Sequence, residues 1–130
     1  MCQKFASLCS GKDGPGYRGS SIFKVVKNYS ITGGFVESKT DKEWRRKFFY
    51  IADRSSLPEK RGCVRMHINR IVDWKAEVST EFLIILTDRM EQRKFTTVFG
   101  YVIDGLAVCE KISQLNLEKM NIVIAECGPC

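Results

Sequence analysis

The chain has 130 residues, 44% hydrophobic and 28% charged, with a formal net charge of +6. That is one domain's worth of sequence, long enough to bury a core. Its longest apolar runs, such as FLIIL at 82–86, are too short for a membrane-spanning helix, and no membrane association is expected. The N-terminal MCQKFASLCSGK lacks the apolar stretch of a secretory signal. The expectation is therefore an intracellular protein, cytoplasmic or nuclear, whose six cysteines stay thiols.

The first predicted element is a helix over residues 2–9, with Phe5, Leu8 and Cys9 on one side. Residues 10–19 carry four glycines and a proline and must form a loop. SSIFKVV at 20–26 is β-rich, and Lys27-Asn28 is a turn signal. A second strand follows over 30–37, where Gly33-Gly34 marks a bulge or a close backbone approach. Residues 38–61 read as a long polar loop, tucked onto the body by the apolar group in WRRKFFYIA at 44–52.

GCVRMHI at 62–68 and TEFLIIL at 80–86 read as strands separated by a long connection. TTVFGYVI at 96–103 reads as another strand, closed by Asp104-Gly105. A helix over 106–115 has Leu106, Cys109 and Ile112 at helical spacing, and NIVIAE at 121–126 is a last strand. Many short strands and two helices predict an antiparallel barrel or sandwich with peripheral helices.

The charge is uneven. From Lys39 to Arg70 there are ten Lys or Arg against four Asp or Glu, and the rest of the chain balances. A basic surface there could attract nucleic acid or an acidic partner.

Three motifs fail on context. GPGYRG at 14–19 spells G-x-G-x-x-G, but a strand follows it where a phosphate cradle needs a helix N-terminus. CGPC at 127–130 spells a thioredoxin-type pair, but no helix follows to lower the first thiol's pKa. Cys63, His67 and the terminal cysteines lack zinc-site spacing, so no metal and no cofactor are expected. His67, the single histidine, reads as a hydrogen-bonded strand residue without a nucleophile beside it.

The ordered segments F-A-S-L-C-S-G-K-D-G-P-G-Y-R-G-S-S-I-F-K-V-V, G-G-F, V-F-G-Y-V-I-D-G-L and I-A-E-C-G resemble the cyclophilin-type peptidyl-prolyl isomerases. The family's counterparts run N-F-x-x-L-x-x-G-E-x-G-x-G-Y-x-G-S-x-F-H-R-I-I, Q-G-G-D, V-F-G-x-V-x-x-G and I-x-x-C-G. The resemblance covers most of residues 3–36 and 80–128 and is faint from 37 to 79. It implies a single domain over 1–130, mostly β. The fold would be an eight-stranded antiparallel barrel with two flanking helices, incomplete because the family's opening strand pair has no counterpart here. Poor solubility or oligomerisation would follow from exposed strand edges.

The resemblance also locates a peptide groove, and its chemistry is altered. The family's arginine, which weakens the prolyl amide resonance, aligns with Lys24. Its Phe-Met-x-Gln run aligns with Tyr29, Ser30, Ile31 and Thr32. Glu81 and Leu83 stand in the Ser-Gln-Phe-Phe segment, Thr96 at the groove histidine, and His67 and Ile68 near the Ala-Asn pair. Glu91 aligns with the tryptophan that contacts cyclosporin, so cyclosporin binding should be weak or absent. The expected function is a degenerate cyclophilin-like module that binds proline-containing peptides or proteins with little or no isomerase activity. Two alternatives stay open: a weak isomerase acting through Lys24, and a basic-surface binder working through Lys39–Arg70.

Overall fold

The computed structural model describes residues 2–11, 16–36, 49–51, 55–73, 75–88 and 96–129. The chain order is α1 (Cys2–Ser10), β1 (Ser21–Val26), β2 (Ser30–Gly33), β3 (Phe49–Ile51), β4 (Cys63–Val72), β5 (Lys75–Ile85), β6 (Val98–Tyr101), α2 (Leu106–Ser113) and β7 (Ile122–Val123). The strands form one antiparallel sheet in the order β6-β4-β5-β2-β1-β7, with β3 also paired to β5. Among the described residues no ladder joins β6 to β7, so the sheet is open, as expected of an incomplete barrel.

Both helices form where apolar residues recur at three- and four-residue spacing. In α1 the Phe5 ring stacks on Tyr17, Phe82 and Phe99 at centroid distances of 5.4, 5.6 and 4.8 Å. Such aromatic pairs add about 0.5–1.5 kcal/mol each beyond the area they bury. Gly11 ends the helix in the left-handed region at φ 65°, and its N–H bonds back to the Ser7 carbonyl. In α2, Leu106, Cys109 and Ile112 face the same core, which is built on Leu8, Tyr17, Ile22, Ile31, Val36, Phe82 and Leu86. A second cluster of Cys63, Ile85 and Val98 is fully buried. No helix among the described residues is long and apolar enough to cross a membrane.

Two features differ from the sequence reading. The connection expected between the strands at 62–68 and 80–86 is a hairpin: β4 and β5 continue toward each other and turn at Asp73, whose φ is 49°. Its polar residues are accommodated by pairing. The buried Glu77 carboxylate accepts from Asn69 Nδ2 at 2.7 Å and Arg70 Nε at 3.0 Å, both on the facing strand. Part of the segment read as loop is β3, which pairs with Ala76, Glu77 and Val78 of β5. The apolar group read at 44–52 otherwise falls outside the described residues.

β5 is the centre of the sheet. Its N-terminal half lies between β3 and β4, its C-terminal half between β2 and β4. Residues 77–82 are all buried, as a strand with neighbours on both edges and cover on both faces must be.

Candidate peptide groove

Cross-strand partners present their side chains to the same face of a sheet. Lys24 of β1 pairs with Thr32 of β2, Thr32 with Leu83 of β5, and Leu83 with Arg65 of β4. The four form one transverse row, with backbones spanning about 14 Å from Lys24 to Arg65 at the usual strand spacing. The adjacent row, Val25, Ile31, Ile84 and Val64, packs against the helix-covered core. The Lys24 row therefore belongs to the opposite face. Lys24 is exposed, Thr32 is buried, and Leu83 and Arg65 are half-buried.

Lys24 stands out because β1 bulges before it. Ile22 faces Gly33 and Lys24 faces Thr32, so Phe23 is the extra residue. The half-exposed Phe23 ring meets Phe35 edge-on at 6.5 Å.

The turn after β1 uses Asn28 at φ 56°. Tyr29 follows, with its ring exposed, while its carbonyl accepts from Leu86 N–H at 2.8 Å. Ser30 is buried between Val26 and Ile85. Glu81 is buried on β5, two residues before Leu83.

A buried clasp ties together the helix-covered side of the sheet. The Tyr17 hydroxyl donates to the Thr80 carbonyl at 2.6 Å. The Thr80 hydroxyl donates to the Gly34 carbonyl at 2.7 Å and accepts from Val36 N–H at 3.2 Å. Gly34 has φ 83°, and a Cβ there would lie 2.7 Å from Tyr17 Cε1 and 2.8 Å from Phe82 Cδ1. The Gly-Gly signal thus marks a close approach, and only glycine fits it without strain. Burial is the main cause that pushes the Tyr17 phenol well above its ordinary pKa, with Cys9 and Cys127 adding to it.

The remaining predicted positions spread out. Thr96 is buried, and its hydroxyl donates to the Leu57 carbonyl at 2.9 Å, while its backbone bridges to Ser55. His67 lies on β4 beside the register shift opposite Ser79–Glu81. It is exposed and, among the described residues, makes no side-chain hydrogen bond, contrary to the bonded strand histidine expected. Ile68 pairs with Val78. Glu91 lies outside the described residues, as does much of the basic stretch expected at Lys39–Arg70.

The row thus unites Lys24, Thr32 and Leu83 and adds Arg65, which sequence reasoning passed over. Its signal was there: a charged residue alternating with Val64 and Met66 in a strand. Among the described residues no three His, Cys, Asp or Glu gather to hold a metal.

The sequence model described as "Cyclophilin type peptidyl-prolyl cis-trans isomerase/CLD" matches residues 1–129. The NK-tumor recognition proteins of Mus musculus and Homo sapiens are each 27% identical to it over 142 residues. The alignment takes in 98% of this chain but only 10% of each relative, so the chain spans about a tenth of their length. With its open antiparallel sheet, two packed helices and a match along nearly the whole chain, this protein belongs to the cyclophilin-type peptidyl-prolyl cis-trans isomerase family.

Proposed function

We propose that the domain binds proline-containing segments of peptides or proteins and catalyses their isomerisation little or not at all. The observation that carries this reading is Lys24, the exposed member of the row with Thr32 and Leu83, which stands where the family resemblance expects an arginine. Rotation about a peptide bond faces a barrier of about 18–20 kcal/mol. Lowering it requires donors held rigidly at the prolyl nitrogen. A guanidinium is a planar fork that keeps two donors aligned, whereas an ammonium on a flexible stem is a hydrated point charge. Lys24 can attract a carbonyl without holding that alignment. The Thr96 hydroxyl, at the position of the family's groove histidine, donates instead to the Leu57 carbonyl.

A protease-coupled assay on proline peptides checks the catalytic part, with turnover expected at the uncatalysed rate. A titration followed by NMR checks the binding part, with shifts expected at Lys24, Thr32 and Leu83. Turnover well above background that Lys24→Ala abolishes would establish a weak isomerase instead, a reading that the exposed charge of Lys24 favours. Absence of any shift with a panel of proline peptides would remove the binding role.

A further inference from the structure

The alternation of β1 breaks at one point, and the break builds a surface. Ile22 and Val25 both belong to the helix-covered core, so the two residues between them, Phe23 and Lys24, both point away from it. The bulge is the cause, since Phe23 is the extra residue between Ile22↔Gly33 and Lys24↔Thr32. Val26, opposite Ser30, alternates back to the same side. Phe35 lies outside both buried clusters and meets the Phe23 ring edge-on. Phe23 and Val26 stay 43% and 42% exposed with Lys24 between them. The family's segments read His and Asp where this chain has Phe23 and Phe35. Two polar positions have become a ring pair that neither core uses.

Charge decides what suits this surface. Residues 14–36 carry Arg18, Lys24 and Lys27 and no Asp or Glu. Among the described residues Lys24 has no ion-pair partner. Glu81, a carboxylate on the same face, is buried on β5 with β2 between it and Lys24. Lys24 is therefore open to a carboxylate from outside. The rings beside it suit a proline, whose stiff apolar side chain docks on aromatic walls at little entropic cost.

We propose, resting on the peptide-binding role above, that Phe23, Phe35 and Lys24 form a specificity subsite that selects acidic proline segments. The two rings take the proline, and Lys24 takes an Asp or Glu within two residues of it. The ion pair is exposed, so it contributes about a two- to fivefold preference at low salt. A lysine near the proline meets Lys24 with like charge and is disfavoured. Arg65, at the far end of the row, is separated from the rings by Thr32 and Leu83 and does not supply this preference.

The test is NMR titration of the whole chain with three capped peptides, Ala-Glu-Pro-Ala, Ala-Gln-Pro-Ala and Ala-Lys-Pro-Ala. Affinity should fall in that order, with about a two- to fivefold step between the first two that shrinks as salt is added. Shifts are expected at Phe23, Lys24 and Phe35. Lys24→Gln should bring the Glu and Gln peptides level, and Phe23→Ala should weaken all three by about two- to tenfold. Equal affinity for the three peptides would overturn the subsite and leave the binding role standing. An acidic preference that survives in Lys24→Gln, or parental affinity in Phe23→Ala, would overturn it as well. No shift with any of the three peptides would remove the subsite and the binding role together.

Discussion

Gly34→Ala is the sharpest test of how the core behind the Lys24 row is packed. Two penalties act there. The left-handed backbone at φ 83° costs a residue with a Cβ about 1–2 kcal/mol. The new methyl would also stand 2.7 Å from Tyr17 Cε1 and 2.8 Å from Phe82 Cδ1. Both rings are locked in the aromatic cluster with Phe5, and forcing atoms into such packing costs about 1–3 kcal/mol. The expected loss is about 2–5 kcal/mol, a large part of the ~5–15 kcal/mol that holds a domain folded. Gly19→Ala is the control, since φ there is 84° but a Cβ would meet nothing within 4 Å. It should lose the backbone share alone, about 1–2 kcal/mol. Urea unfolding of the two variants beside the parent, read from the midpoints at constant slope, gives the difference. Equal losses would mean that the rings move aside freely, and the account of Gly34 as a packing position would fail.

Other expectations concern the titrating and paired groups. The Tyr17 phenol is raised in the folded state, so its contribution to stability is complete below its ordinary pKa of about 10 and is lost as pH climbs through the folded value. Tyr17→Phe should reduce the fall of stability with pH above about 10, leaving the slope of the raised Tyr101 phenol and of the raised thiols Cys9 and Cys109; an unchanged alkaline slope would place the effect elsewhere. Arg70→Ala should cost about 1–3 kcal/mol in urea unfolding by withdrawing a donor from the buried Glu77 carboxylate. A loss below a few tenths would show that Asn69 suffices.

Much of the architecture was legible because it rests on local signals. Both helices follow the spacing of Phe5, Leu8 and Cys9 and of Leu106, Cys109 and Ile112. β1 and its turn follow from a β-rich run ended by Lys27-Asn28. The hairpin of β4 and β5 was missed because its polar residues look like a loop. Glu77 is buried with Asn69 and Arg70 facing it, a compensation that exists between strands and not along one. In the transverse row, Lys24, Thr32 and Leu83 were singled out by resemblance, whereas Arg65 joins them through register alone. The clasp of Tyr17, Thr80 and Gly34 joins residues up to 63 positions apart, beyond any periodicity argument.

The register shifts along β4 and β5 also set the phase of the Lys24 row. Between Met66↔Phe82 and Ile71↔Ala76, β4 advances five residues while β5 advances six. β5 therefore carries a net surplus of one residue: the Ser79–Glu81 stretch adds two, and Asn69 on β4 takes one back between Ile68 and Arg70. Deleting a single residue from the Ser79–Glu81 stretch would not merely shorten the strand. It would turn Leu83 toward the helices and Phe82 toward the face of Lys24, unless β2 slid by one position as well. Tolerance to length change at this point should come in twos, as in a gear train where one skipped tooth reverses every contact downstream.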